Sequence, residues 1–203
     1  MTADPERFPE RFNAAIAAID GFNAGDPNRE TFQGKAYPKE VLYAERMTAW
    51  LEKLNPKASE ELRLATRAQH IGRWTIARAD YPQGLAGYSK WRGTLARFHA
   101  DTAAHILGAA GYGEGAQARV VKLIRKLGLG TDPETQMLED VICLVFLEHY
   151  FSDFSAKHED TKIVDILQKT WAKMSPRGHE LALELASGLA PDRRALIVRA
   201  VKP

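Results

Sequence analysis

Hydrophobic residues recur along the chain at intervals of three and four, the spacing that places them on one face of an α-helix. The first stripe lies between Phe8 and Ile19. The next runs from Val41 to Leu54, after Pro38, a residue type suited to the first turn of a helix. No segment shows the sustained alternation typical of a β-strand. The pattern predicts an all-α fold, a single-domain bundle of about eight helices.

The remaining helices are predicted from the same periodicity and from the residues that begin and end each stripe. They are Ser59–Ala68, Tyr88–Ala109, Val120–Leu127, Pro133–Phe154, Ile163–Trp171, Leu181–Leu185 and Ala195–Val201. Pro133–Phe154 is hydrophobic nearly all round, which predicts a central helix. A loop is predicted at Asn23–Asn28, and Arg73–Gly87 is too long for a tight turn, so a functional loop is expected there.

Length and charge narrow the classes of function. The chain has 203 residues, a length that fits one domain. Its net charge of +2 does not by itself indicate binding to nucleic acid. Its single cysteine, Cys143, excludes an internal disulfide and a cysteine-rich zinc site. The polar segment Met1–Arg7 does not have the pattern of a signal peptide, and the apolar run Val141–Leu147 is too short to cross a bilayer. A cytoplasmic protein without membrane contact is expected, and self-association is left open.

The common catalytic fingerprints are missing, among them the Walker A loop and the His-Glu-x-x-His motif. Candidate chemistry therefore comes from polar residues in helices that should be buried. His70 ends the helix that precedes Gly72; it is either a structural histidine favoured by the helix dipole or part of a site. His99 follows Leu95 and Phe98, and its position suits a packed core as well as a pocket.

Two adjacent carboxylates, Glu139 and Asp140, lie at the head of the most apolar helix. Acidic residues are favoured in a first turn, which is the structural interpretation. If the helix begins at Pro133, however, both lie about two turns inside it. A carboxylate buried there needs a cation, a metal ion or several hydrogen bonds.

Cationic and aromatic residues form the last candidate group. Arginine suits bidentate recognition of phosphate or carboxylate, and tryptophan or tyrosine can stack on a base. Scattered surface arginine is the alternative interpretation. The candidates for binding a substrate are Arg46, Arg73, Trp74, Tyr88, Trp91, Arg92 and Lys126.

Several of these segments resemble motifs of the HD superfamily of helical, metal-dependent phosphohydrolases. Leu64–Arg73 resembles the segment Leu-Ala-x-x-x-x-His-Asp-Ile-Gly, with His70 at the histidine but Ile71 in place of the aspartate. His99–Leu107 resembles the segment of the third histidine, and Leu138–Val141 resembles that of the final aspartate. Tyr43 stands where the first histidine would be in Tyr43–Met47, and Lys126 falls near the fourth.

The resemblance implies an HD-like core over roughly residues 38–150, with the N-terminal and C-terminal helices packed on it. It also implies one divalent metal ion (Mn, Fe, Zn or Mg) held by His70, His99 and Asp140. Glu45 and Glu139 are then the catalytic candidates. More closely, the whole chain resembles a bacterial and fungal family of domains of unknown function, through Tyr43–Met47, Arg67–Ile71, Phe98–Ala100, Leu138–Phe151 and Lys169–Ser175.

Two functions from different classes follow. The first is a hydrolase with a single-metal site that acts on a phosphorylated or other anionic small molecule. The second is a non-catalytic module that keeps the HD-like scaffold and binds a nucleotide or another anion in the same pocket. In both, the expected partner is an anionic small molecule rather than a nucleic acid or a membrane.

Overall fold

The computed structural model describes residues 9–201. The predictions for Met1–Arg7 and for Phe8 lie outside the described residues. The chain divides into two compact units, an N-terminal unit that ends at Leu127 and a C-terminal unit that begins at Gly128. The predicted single domain stays a prediction.

The N-terminal unit is built around a short, deeply buried helix. Its helices are α1 (Glu10–Ala24), α2 (Lys39–Leu54), α3 (Glu60–Ala68), α4 (Gly84–Ala109) and α5 (Glu114–Ile124). Helix α3 begins after Ser59, whose side chain accepts a hydrogen bond from the backbone N–H of Leu62. It packs against α1, α2, α4 and α5, and every residue from Leu62 to Ala68 is buried. The residues that follow α3 therefore leave the centre of the unit.

A β-hairpin connects α1 and α2, in a region where the sequence predicts no strand. Strands β1 (Arg29–Phe32) and β2 (Lys35–Pro38) pair antiparallel. The turn between them uses Gln33 and Gly34, both with positive φ, as the tight turns of hairpins require. Most residues of both strands are exposed or half-buried, so neither strand carries the alternation that signals a buried face.

The described part of the C-terminal unit, residues 128–201, contains five α-helices. They are α6 (Pro133–Val145), α7 (Phe151–Ser155), α8 (Asp160–Trp171), α9 (Pro176–Ser187) and α10 (Pro191–Val201). Asp132 caps α6 by accepting from the N–H groups of Glu134 and Thr135, and Ser175 caps α9 through Gly178. A π-helical turn at Phe146–Tyr150 separates α6 from α7. Helices α6 and α9 pack together, as do α8 and α10.

The all-α prediction is confirmed, with one small two-stranded sheet added. Residues 9–201 hold ten α-helices, where about eight are predicted, in part because the π turn divides the predicted helix Pro133–Phe154. Helix α4 begins at Gly84, four residues before the predicted Tyr88, and the preceding loop contains two 3₁₀ turns. Among the helices of residues 9–201, none combines the length and the hydropathy needed to cross a membrane.

Candidate functional site

A cavity of about 230 Å³ lies in the N-terminal unit, where the end of α3, the middle of α4 and the end of α5 meet. It contains both predicted histidines. Its wall combines cations, imidazoles and an amide with a few apolar groups. The lining residues are Gln69, His70, Arg92, Gly93, Leu95, Ala96, His99, Ile124, Arg125 and Lys126.

The imidazole of His99 is fixed in one tautomer. Its Nδ1 lies 2.6 Å from the backbone oxygen of Ile71, and a carbonyl oxygen can only accept, so Nδ1 carries the proton. The other nitrogen, Nε2, then carries a lone pair. Nε2 is buried and has no hydrogen-bond partner in the described part of the chain. Burial lowers the pKa of His99 to about 4, against the opposing effect of the bond to Ile71, so the ring is neutral at neutral pH.

His70 lies just beyond α3 and stacks on Tyr43 of α2, with ring centroids 4.1 Å apart and planes 11° apart. Its ring centroid is 5.9 Å from that of His99. Burial lowers the pKa of His70 well below its usual value, and Arg73, His99, Arg92 and Lys126 lower it further. His70 is therefore a neutral side chain among positive charges.

Glu40, in the first turn of α2, is the carboxylate that contacts His70. Its Oε2 lies 3.5 Å from Nδ1 of His70 and makes no hydrogen bond within residues 9–201. The side chain is almost fully buried, and burial raises its pKa to about 7, although Arg73 opposes the shift. The sequence analysis missed Glu40. The available signal was its spacing of three residues from Tyr43, which places both on one face of α2.

Positive charge accumulates around the histidines. Arg92, Arg125 and Lys126 line the cavity, and no carboxylate of the described residues forms an ion pair with Arg92 or Arg125. Arg73 lies beside them with its guanidinium 4.9 Å from the ring centroid of Trp91. Burial lowers the pKa of Arg73, and Arg92 lowers it further.

Two polar groups near the cavity lack partners. In the described residues, Nη1 of Arg73 and Oε1 of Gln69 are buried without a hydrogen bond. The Nε2 of Gln69 donates to the backbone oxygen of Ile124 at 3.5 Å, which leaves the amide oxygen of Gln69 as an acceptor. Unsatisfied buried polar groups cost free energy, so each of these groups needs a partner beyond those that the described residues supply.

Lys126 is held in an unusual backbone conformation. Its φ is +57°, in the left-handed region that disfavours residues with a Cβ. Among residues 9–201, Gln33 in the hairpin turn is the other non-glycine residue with positive φ. Glycine would be the less strained choice at position 126, so the lysine side chain stands at the cavity at some cost in stability.

Four of the predicted site residues of the N-terminal unit lie elsewhere or have structural partners. Arg46 pairs with Glu30 at 2.5 Å and lies over the ring of Phe32, so the hairpin holds it. Trp74 packs near Phe22, and Glu45 is half-buried on α2; neither lines the cavity. Tyr88 is half-exposed next to Trp91.

Trp91 itself has two partners. Its Nε1–H donates to the backbone oxygen of Ile76 at 2.9 Å, and its ring supports Arg73. Trp91 therefore positions a cation rather than lining the cavity.

Glu139 and Asp140 are buried in α6 of the C-terminal unit, as the sequence pattern predicts. Asp140 accepts hydrogen bonds from the backbone N–H of Ser175 at 2.8 Å and from its Oγ–H at 2.5 Å. The amide of Gln136 also approaches it at 3.3 Å. The carboxylate thus connects α6 to the start of α9, and hydrogen bonds balance its burial.

Within residues 9–201, no group of three or more His, Cys, Asp or Glu side chains has an arrangement that could hold a metal ion. The predicted ligand set of His70, His99 and Asp140 stays a prediction. His70 and His99 share one cavity, and each of the three residues has contacts in its own unit.

A comparison with protein families gives one match. The model of a family described as a domain of unknown function, DUF4202, matches residues 13–197. A search of curated proteins and a search of solved structures found no significant match.

Proposed function

The chain belongs to the DUF4202 family, and we propose that its N-terminal unit binds a small phosphorylated molecule in the cavity between α3, α4 and α5. The observation that carries the proposal is the excess of positive charge around two neutral imidazoles. Three cations line the cavity, and Arg73 lies beside it.

The electrostatics of the site favour an anion. Burial lowers the pKa of His70 most, and cationic neighbours lower it further. Burial likewise lowers the pKa of Arg73 most and Arg92 lowers it further, so the positive charges of the site oppose one another. Glu40 balances this charge poorly, because its raised pKa leaves it partly protonated at neutral pH. A bound anion relieves the repulsion, and its free energy of binding includes that relief.

Phosphate matches this charge better than a single carboxylate does. A phosphomonoester carries about −1.5 to −2 charges at neutral pH and offers three acceptor oxygens. Arg92 and Arg125 can each donate two parallel hydrogen bonds to such a group, and Lys126 adds a compact point charge. Because these side chains come from α4 and from the end of α5, they can approach a phosphate from two directions.

An HD-like scaffold remains part of the proposal. What supports it is that Tyr43, His70 and His99, which the resemblance assigns to three ligand positions, are neighbours in the N-terminal unit. His99 alone has the arrangement of a metal-binding histidine, since its Nδ1–H donates to a carbonyl and its Nε2 lone pair lacks a partner.

As a set, these residues do not fit a divalent ion. Nδ1 of His70 faces Glu40, and the lysine and arginines of the same cavity repel a metal cation. Metal-dependent hydrolysis, with Glu45 and Glu139 as its catalytic residues, therefore stays a prediction from the resemblance.

A thermal-shift screen at low ionic strength, with and without EDTA, tests the proposal. The panel holds methyl phosphate, glycerol 3-phosphate, AMP and the dicarboxylate succinate. We expect at least one phosphomonoester to raise the melting temperature in a concentration-dependent manner, equally with EDTA present. Stabilisation by none of the phosphomonoesters, or stabilisation that EDTA abolishes, would contradict it.

A further inference from the structure

Two of the residues that line the cavity each carry a buried hydrogen-bond acceptor. Nε2 of His99 and Oε1 of Gln69 are buried, and both lack a hydrogen-bond partner among residues 9–201. Both side chains belong to lining residues, and they are 2% and 6% exposed. A phosphate dianion has only acceptor oxygens, so it cannot satisfy either of them.

The geometry points to a ligand that carries neutral hydroxyl groups beside its phosphate, a polyol or sugar monophosphate. The phosphate oxygens accept from Arg92, Arg125 and Lys126, and the hydroxyl groups donate to His99 and Gln69. This inference rests on the proposed function, because it assigns the ligand class of the same cavity.

The fixed tautomer of His99 decides the direction of its hydrogen bond. Because the Nδ1 proton is donated to Ile71, Nε2 can only accept while the ring is neutral. The amide of Gln69 is oriented in a similar way. One of its N–H groups is directed to the backbone oxygen of Ile124, which identifies Oε1 as its acceptor atom. Two buried acceptor atoms that lack a donor within the described residues favour a ligand that brings donors.

The charge around the site indicates which kind of donor fits. An ammonium group also donates hydrogen bonds, but Arg73, Arg92 and Lys126 all act on this region, as their effect on His70 shows. Repulsion from these cations disfavours a positively charged donor. A neutral hydroxyl group can approach the two acceptors without that repulsion.

The size of the cavity limits the ligand. Its volume of about 230 Å³ is below the range of roughly 300–1,000 Å³ typical of sites for drug-sized ligands and cofactors. A single phosphate with a short hydroxylated chain or one sugar ring suits that space. A dinucleotide does not.

Isothermal titration with three small phosphomonoesters at about pH 8, where the phosphates are dianions, tests this assignment. The probes are glycerol 3-phosphate, which has two hydroxyl groups, methyl phosphate, which has none, and phosphoethanolamine, which has an ammonium group. We expect glycerol 3-phosphate to bind at least about tenfold more tightly than either of the others, the effect of one or two added hydrogen bonds.

Variants of His99 and Gln69 test whether these two side chains cause the preference for glycerol 3-phosphate. In His99→Asn and in Gln69→Met, the ratio of the affinity for glycerol 3-phosphate to that for methyl phosphate should fall towards one. Arg97→Gln, at an exposed position on the helix of His99, is the control and should keep the wild-type ratio. Circular dichroism confirms that each variant folds, and if one does not, the other carries the test.

The outcomes separate this inference from the proposed function. Equal binding of all three esters to the wild type, or a preference that survives in the folded variants, overturns the hydroxyl assignment and leaves anion binding intact. Binding of none of the esters contradicts the proposed function itself.

Discussion

Nδ1 of His99 and the backbone oxygen of Ile71 are 2.6 Å apart, and this one contact fixes the chemistry of the buried imidazole. Helix α4 supplies the histidine, and the chain that leaves α3 supplies the carbonyl. The contact therefore couples the tautomer of a cavity side chain to the backbone next to His70.

This relationship predicts how His99 titrates. In the free protein, we expect nitrogen NMR to show the Nδ1–H tautomer at neutral pH and a midpoint near 4, because burial disfavours the imidazolium. A bound phosphate supplies negative charge and should raise that midpoint. The opposite tautomer would contradict the assignment of Nε2 as an acceptor, and a free-protein midpoint near the usual 6.5 would contradict the effect of burial.

Glu40 should make the fold less stable as pH rises from about 4.5 to about 7. Its pKa rises from 4.5 to about 7 on folding, so the folded chain binds more protons in that window, and the stability from this group is lost as pH rises through it. Glu40→Gln removes the ionisation. We expect its gain in free energy of unfolding over wild type to be larger at about pH 8 than at about pH 5, by roughly 2 kcal/mol.

Urea unfolding at the two pH values measures this difference. Glu45→Gln, on the same helix but half-buried, is the matched control against which the effect of Glu40→Gln is compared. An equal effect of Glu40→Gln at both pH values would refute the raised pKa.

Lys126 should lower the stability of the fold and raise the affinity for the ligand. Replacement by glycine relieves the left-handed backbone strain, and we expect the free energy of unfolding to rise by about 1 kcal/mol. The same variant loses a cavity cation, so its affinity for glycerol 3-phosphate should fall. Gln33→Gly relieves the same kind of strain far from the charge cluster and should stabilise without weakening the binding. Loss of binding in both variants would show that removal of the lysine charge is not the cause of the lower affinity.

Asp140 should act on stability independently of metal. Asp140→Ala leaves the N–H and Oγ–H of Ser175 without their acceptor, and we expect a loss of about 2 kcal/mol in the free energy of unfolding. The loss should be the same with EDTA and with added Zn²⁺ or Mn²⁺. Asp153→Ala, at an exposed position, should cost little. A loss that appears only with metal present would support the predicted metal site instead.

The sequence predicted those features that leave a periodic pattern. Stripes of apolar residues identified most of the helices, and His70 and His99, singled out as polar groups in buried segments, do line one cavity. The hairpin was missed because exposed strands need no alternation of apolar residues. The boundary at Phe146–Tyr150 was missed because the predicted helix is hydrophobic nearly all round, so the shift of its faces at a π turn leaves no sign in the sequence.

The rest of the site depends on tertiary contacts that no local pattern encodes. Glu40 stands in a first helical turn, where acids are common, and its burial beside His70 gives it a different role. Arg125 belongs to no motif, and Gln69 occupies an unspecified position of the HD-like segment that contains His70. Asp140 is buried as predicted, but Ser175, which lies 35 residues later, supplies its hydrogen bonds.

The most direct test of the central claim is titration of glycerol 3-phosphate into the wild-type protein, Arg92→Gln and Arg97→Gln. The two variants remove the same charge from α4, Arg92→Gln at a position that lines the cavity and Arg97→Gln at an exposed one. We predict saturable binding to the wild type and to Arg97→Gln, and an affinity at least about tenfold lower for Arg92→Gln, as for loss of a charged hydrogen bond. No saturable binding to the wild type, or equal affinity of the two variants, would contradict a phosphate site in this cavity.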